Sequence, residues 1–187
     1  MTGQFTILEA VKILIDSCKE HYAGDPFAAG RIREIILADL LGHSVAADLH
    51  GHDAIVKVNQ NNFKVEYKTA FIKYGLSGRY DVSWYPTWEE QEKYLLTEKI
   101  GSSKYHYFAT FDSSYVIQEV MELTGERVCD LLIPALKSVY LSRDSRQDKR
   151  NSGLYTTLGS PDIRAYGKLV YEVPVAGLHQ WLDECQI

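Results

Sequence analysis

The sequence predicts an α/β (α+β) fold in which helices flank a central mixed β-sheet. Three observations lead to this expectation. Apolar residues at helical spacing alternate along the chain with short segments rich in β-branched and aromatic residues. Capping sequences mark two helix starts. The 187 residues are 45% hydrophobic, which is enough to bury one core, so we expect a single domain over 1–187.

Two capping boxes, in which a threonine is followed three residues later by a glutamate, predict where helices begin. Thr6 and Glu9 precede apolar residues at helical spacing, and Thr87 and Glu90 precede a helix that should run to about residue 99. Apolar spacing predicts further helices over 28–41, over about 114–124 and around Trp181.

Segments with β-like composition or period-two alternation predict the strands of the sheet. These strands are expected over 44–48, 53–58, 63–71, 105–111 and 168–175. Residues 126–139 are compatible with a helix or a strand. Residues 140–167 are polar and rich in Gly, Ser and Arg, which is typical of a loop.

Composition and charge narrow the class of protein. No run of about 18 or more apolar residues is present, and the first residues lack the pattern of a secretory signal, so we expect no membrane span and no export. Three widely spaced cysteines indicate a reducing cytoplasm rather than a disulfide framework. The net charge of −5 disfavours a nucleic-acid binder that depends on charge alone.

The segments 53–58 and 63–69 flank an Asn-rich break, which predicts a β-hairpin. Successive side chains of a strand point to opposite faces. The odd-numbered residues of 63–69 are therefore expected to face the core, and the even-numbered residues are expected to share the other face.

The register of this hairpin decides which polar residues meet. A turn that closes symmetrically over Asn59–Asn62 places Asp53 opposite Lys68 and Ile55 opposite Glu66. Directly opposed residues share a face, so Asp53, Glu66 and Lys68 should converge there.

Two neighbouring carboxylates repel each other unless a cation lies between them. Ligation by oxygen alone favours Mg²⁺, which binds through one or two carboxylates and substrate phosphate. Mg²⁺ would activate water and offset charge on phosphorus, and an adjacent ammonium would stabilise the developing oxyanion. The face therefore has the chemistry for hydrolysing a phosphodiester.

This pattern resembles the PD-(D/E)XK nuclease superfamily, in which an Asp at a strand start and an (Asp/Glu)-x-Lys on the next strand hold Mg²⁺. The matching residues here are Asp53 and Glu66-Tyr67-Lys68. Glu34 matches an acid that the preceding helix often supplies. The resemblance implies that Asp53, Glu66 and Lys68 are catalytic, and that Asp53, Glu66 and Glu34 are the metal ligands.

The resemblance covers about residues 31–111 and implies a restriction-endonuclease-like catalytic core over about 28–125. The sequence departs from the family pattern at one position, because His52 and not proline precedes Asp53.

Within this superfamily, a basic extension outside the core is most similar to the type II restriction endonucleases. Such enzymes are homodimers that cut short palindromes in double-stranded DNA. The DNA-recognition region is expected over about 137–167, where arginine would read guanine and Asn or Gln would read adenine. The candidate DNA-binding residues are Arg143, Arg146, Gln147, Lys149, Arg150, Asn151 and Arg164.

Several alternatives remain open at the level of sequence. The protein could be a structure-selective repair or junction nuclease of the same superfamily, or a non-catalytic DNA-binding or interaction module. Asp53 and Lys68 could form an ordinary cross-strand surface pair. His50 and His52 could bind zinc together with Asp53.

Overall fold

The structure is a computed structural model that describes residues 7–20, 25–28, 30–46, 51–144 and 154–173. The chain divides into two compact units, Met1–Tyr67 and Lys68–Ile187. The boundary falls within a single β-strand. None of the helices in the described segments is long and apolar enough to cross a membrane.

The predicted fold class is confirmed, because helices and strands are mixed along the chain. The helices are α1 (Ile7–Glu20), α2 (Arg31–Leu41), α3 (Trp88–Tyr94), α4 (Gly125–Asp144) and α5 (Ser160–Tyr166). The strands are β1 (Ser44–Val45), β2 (Ala54–Val58), β3 (Asn61–Phe71), β4 (Ser77–Val82), β5 (Tyr105–Phe111), β6 (Ile117–Thr124), β7 (Leu154–Gly159) and β8 (Lys168–Glu172). Six strands form one sheet in the order β1-β2-β3-β5-β6-β8, and β4 pairs with β7 in a second sheet.

In the first unit, α2 leads directly into the strands that carry the candidate site. Gly42 ends this helix with a positive φ of 67° and donates its backbone N–H to Ala38 and Asp39, as glycine at a helix exit commonly does. The chain then enters β1, which pairs antiparallel with β2, and β2 pairs antiparallel with β3.

The predicted β2–β3 hairpin is present, but its turn lies earlier in the chain than expected. Asn59 and Gln60 form the turn with φ of 49° and 67°, and Val58 pairs with Asn61. A two-residue turn of this kind requires positive φ at both central residues, and asparagine tolerates that conformation better than most residues do.

The predicted register is therefore wrong, because Ile55 pairs with Lys64 and not with Glu66. The shift amounts to two residues, an even number, so each side chain keeps the face that alternation assigns to it. Val65 and Tyr67 are buried while Lys64 is exposed, which confirms the predicted core face of this strand.

In the second unit, a hydrophobic core forms around residues from both sheets and from α3, α4 and α5. The capping box predicted at Thr87 is confirmed, because its hydroxyl accepts the Glu90 N–H and the Glu90 carboxylate accepts the Thr87 N–H. These bonds satisfy N–H groups that the first turn of α3 would otherwise leave without partners.

The helix predicted over 114–124 is wrong, because residues 117–124 form β6. Ile117, Val120 and Met121 are all buried, and their spacing is the one expected of a helix face. The pairing of β6 with β8 shifts between Val120 and Met121. The extra residue of this bulge lies on β8, whereas β6 keeps an unbroken register with β5 across Val120 and Met121. These two side chains therefore point to opposite faces of the sheet. Both are buried, and burial on both faces imitates helical periodicity.

The loop predicted over 140–167 is also wrong within the described residues. Helix α4 continues to Asp144, and β7 and α5 occupy residues 154–166. Leu154, Leu158 and Ile163 are buried in the core of the second unit. Sequence patterning missed this segment because its buried apolar residues are few and are separated by polar ones.

We predict that Gly125→Ala destabilises the protein by about 1–3 kcal/mol, the usual cost of overpacking. Gly125 begins α4, and a Cβ at this position would overlap the Ser103 carbonyl oxygen. Thermal and urea unfolding measure the loss of stability. Gly159→Ala is the control, because its Cβ would have only an ordinary contact, 3.6 Å from Pro161. Equal stability of the two variants would contradict the prediction.

Candidate active site

Asp53 is held against β3 by its backbone and by its side chain. Its backbone N–H donates to the Val65 carbonyl at 3.0 Å, and its Oδ2 accepts the Tyr67 N–H at 2.6 Å. Its own carbonyl accepts the Ala46 N–H at 2.9 Å. Bonds to Val65 and Tyr67 place Asp53 beside the intervening residue, Glu66. The two predicted acids of the hairpin are therefore neighbours.

The side chain of Tyr67 interacts with three residues of the first unit, His43, Asp53 and Glu34. Tyr67 is only 4% exposed, and its hydroxyl is 2.7 Å from Nδ1 of His43, whose ring is stacked with the tyrosine ring. Burial raises the pKa of the Tyr67 phenol, and the carboxylates of Asp53 and Glu34 raise it further. Both acids therefore act on the same hydroxyl, which stays protonated.

Glu34 is fixed on α2 by an ion pair with a buried arginine. Arg31 is 1% exposed, and its Nη1 lies 3.1 Å from Oε2 of Glu34, which is 21% exposed. Arg31 also donates from Nη2 to the Ala46 carbonyl. Because Ala46 bonds to Asp53, this arginine joins the helix acid to the start of β2. Any metal bound to Glu34 would share that carboxylate with Arg31.

Glu66 and Lys68 stand two positions apart on β3, and both are half-buried. Val65 and Tyr67 are buried, so alternation directs Glu66 to the opposite, more accessible face. Lys68 is the first residue of the second unit, and its Nζ lies 4.8 Å from the centre of the Tyr80 ring.

The acids of the first unit have the donor chemistry that Mg²⁺ prefers, because all their ligating atoms are carboxylate oxygens. Among the described residues, no group of three or more His, Cys, Asp or Glu side chains is arranged to hold a metal ion. Mg²⁺ needs only one or two carboxylates, since water and substrate phosphate complete its shell. The pair Asp53 and Glu66 fits that requirement.

The zinc alternative depends on residues beside Asp53. His52 is half-buried immediately before it, whereas His50 lies outside the described segments. Zinc sites use three or four protein ligands, so a zinc ion would require more protein ligands than Mg²⁺ does.

The predicted DNA-binding residues fall in three places. Arg143 lies at the end of α4. Arg164 lies on α5, where its guanidinium makes two bonds, of 2.5 and 2.7 Å, to the Glu119 carboxylate. An intramolecular partner therefore already holds Arg164. Five candidates lie outside the described residues: Arg146, Gln147, Lys149, Arg150 and Asn151.

Sequence reasoning missed the residues that contact the candidate site residues and their neighbours. Arg31 precedes Glu34 by three positions, a spacing that favours a helical ion pair and could have been noticed. His43 and Tyr80 gave no such signal, because their partners are distant in sequence. No protein-family model and no curated protein matches the chain.

Proposed function

We propose that this protein is a Mg²⁺-dependent endonuclease that hydrolyses phosphodiester bonds of double-stranded DNA, and that it acts as a sequence-specific type II restriction enzyme. One observation carries the proposal. The Asp53 carboxylate accepts the backbone N–H of Tyr67 at 2.6 Å. Tyr67 directly follows Glu66 in the chain. Acids from the start of one strand and from its antiparallel neighbour are thereby brought together.

The anchoring of Asp53 supports a catalytic role for this pair of acids. A carboxylate held by a backbone N–H and by a paired strand has few conformations left to lose. Preorganised groups of this kind do not have to rearrange during the reaction. When bound, Mg²⁺ would offset negative charge on the phosphate and make water a better nucleophile. Asp53 and Glu66 would supply the carboxylates that bind it.

Lys68 is assigned the stabilisation of charge in the transition state. An ammonium near the scissile phosphate lowers the energy of the oxyanion that develops there. The proposal places its amine on the Glu66 face of β3, because residues two apart on a strand share a face. Glu34, which Arg31 orients, is the third predicted acid. Because the described acids form no group of three arranged around one metal ion, the proposal assigns the metal to Asp53 and Glu66.

The proposed partner is a palindromic DNA duplex bound by a homodimer, since the two-fold symmetry of such a protein matches that of its site. Base readout is assigned to the region 137–167. A cytoplasmic location follows from this function and agrees with the cysteine usage.

Digestion of plasmid DNA tests the proposal. With Mg²⁺, we expect discrete fragments from supercoiled and relaxed plasmid, and we expect no cutting in a chelator. Asp53→Asn and Glu66→Gln should each abolish cleavage. Asp39→Asn, which changes an exposed acid of α2, is the matched control and should cut normally.

Other substrates and ions separate the alternatives. Branched or junction DNA cut in preference to linear duplex would indicate a structure-selective nuclease. Ca²⁺ should support binding without cleavage, because it accepts oxygen ligands with looser geometry. Full activity in a chelator, or the absence of cleavage on a library of all short palindromes, would overturn the proposal.

A further inference from the structure

Lys68 lies against a tyrosine that is buried in the second unit. Its Nζ is 4.8 Å from the centre of the Tyr80 ring, within the range at which a cation is attracted to an aromatic face. Tyr80 is 2% exposed, so its ring is packed on the inner side of β4. Lys68 itself is half-buried, so the attraction acts at a partly desolvated site, where it is stronger than on an open surface.

A glycine on the same strand makes room for the lysine stem. Gly78 precedes Tyr80 by two positions, so the two residues share a face of β4. A Cβ at Gly78 would lie 2.8 Å from Cγ of Lys68 and 2.5 Å from Cε1 of Phe108. The absence of a side chain at Gly78 therefore lets the stem of Lys68 lie against β4 and its ammonium reach the ring.

The orientation of the Tyr80 ring is fixed by a buried histidine. The Tyr80 hydroxyl lies 2.9 Å from Nδ1 of His106, and Nε2 of His106 lies 3.0 Å from the Ile100 carbonyl oxygen. A carbonyl can only accept, so Nε2 carries a proton and donates it. In the neutral ring Nδ1 then accepts from the tyrosine hydroxyl. Two consecutive bonds thereby restrict rotation of the ring.

We propose that Tyr80 is a positioning residue for Lys68. Its ring holds the ammonium by a cation–π contact, His106 fixes the ring, and Gly78 leaves space for the aliphatic stem. The consequence for catalysis rests on the function proposed above, in which this ammonium stabilises the transition state. The positioning itself can be measured whether or not the protein cuts DNA.

Nuclear magnetic resonance of protein labelled with ¹³C-lysine measures the positioning directly. The ring face should shift the ε-methylene protons of Lys68 upfield, and Lys68→Arg assigns that signal by removing it. Tyr80→Phe keeps the ring and should keep the shift, whereas Tyr80→Leu should lose it. Tyr155→Leu, which removes an exposed tyrosine of β7, is the control and should leave the signal unchanged.

Cleavage kinetics then measure the consequence. We expect Tyr80→Leu to lower kcat by about ten- to a hundredfold with little change in KM, because a small displacement of a catalytic group is costly. Tyr80→Phe should restore most of the rate. Merely structural damage would instead reduce the fraction of active enzyme in both variants.

These experiments distinguish failure of the positioning proposal from failure of the proposed function. An upfield shift in the wild type that Tyr80→Leu removes, with no cleavage by any form, would support the positioning and overturn the nuclease proposal. An unshifted Lys68 signal in the wild type would overturn the positioning, even if Tyr80→Leu failed to fold. Loss of the shift in Tyr80→Leu with an unchanged kcat would support the contact and overturn its role in catalysis.

Discussion

Lys68→Ala is expected to lower the rate of DNA cleavage by about a hundred- to thousand-fold, with folding and DNA binding preserved. The ammonium is assigned to charge that develops only in the transition state, so its loss should reduce kcat and leave the affinity for DNA intact. Lys68 is half-buried and its ammonium lies on the Tyr80 ring, so the substitution should keep the fold at the cost of one contact worth about 1 kcal/mol. Stability should therefore change little.

Single-turnover cleavage and filter binding in Ca²⁺ measure the two effects separately. Lys64→Ala is the matched control, because Lys64 is an exposed lysine that alternation places on the same face of β3. The control should cut at the wild-type rate. A Lys68→Ala protein that cuts within about threefold of the wild type would remove the lysine from the mechanism.

The second large effect is expected in the stability of the first unit, where Arg31→Met should cost about 3–5 kcal/mol. Arg31 is almost fully buried, pairs with Glu34 and donates to the Ala46 carbonyl. Methionine fills part of the volume but leaves the Glu34 carboxylate without this partner.

Equilibrium unfolding of single and double variants isolates this charge effect. Arg31→Met combined with Glu34→Gln should recover part of the loss, because the stranded charge is then absent. Lys19→Met is the control, since it breaks an exposed pair with Asp16 at the same helical spacing on α1. An exposed pair contributes little. If Arg31→Met were as mild as Lys19→Met, the buried pair would have no structural role.

The candidate site shows how far local patterns reach. Period-two alternation was enough to assign Val65 and Tyr67 to the core and Glu66 to the other face, because each side chain's direction depends only on its own strand. The capping box at Thr87 was equally predictable, since all its bonds form within four residues. The predicted faces of the β3 side chains were correct even though the register was wrong, because the register error was an even number of residues.

Long-range pairing was beyond the same reasoning. The position of the turn depended on which two of several polar residues took positive φ, and Asn59 and Gln60 did so. Burial on both faces at Val120 and Met121 gave a strand the apolar spacing of a helix. Both features depend on elements distant in sequence or on the choice of strand partner, which local sequence does not specify.

The sequence by itself determined the α/β class, most of the elements and the set of acids on the hairpin, because these follow from propensity and periodicity. Only the tertiary structure decided that Asp53 bonds to the backbone of Tyr67, that Arg31 is buried and donates to the Ala46 carbonyl, and that Tyr80 lies beneath Lys68. Each of these contacts requires the chain to bring side chains together in space. Their formation depends on the packing of whole elements, which no short pattern of residues encodes.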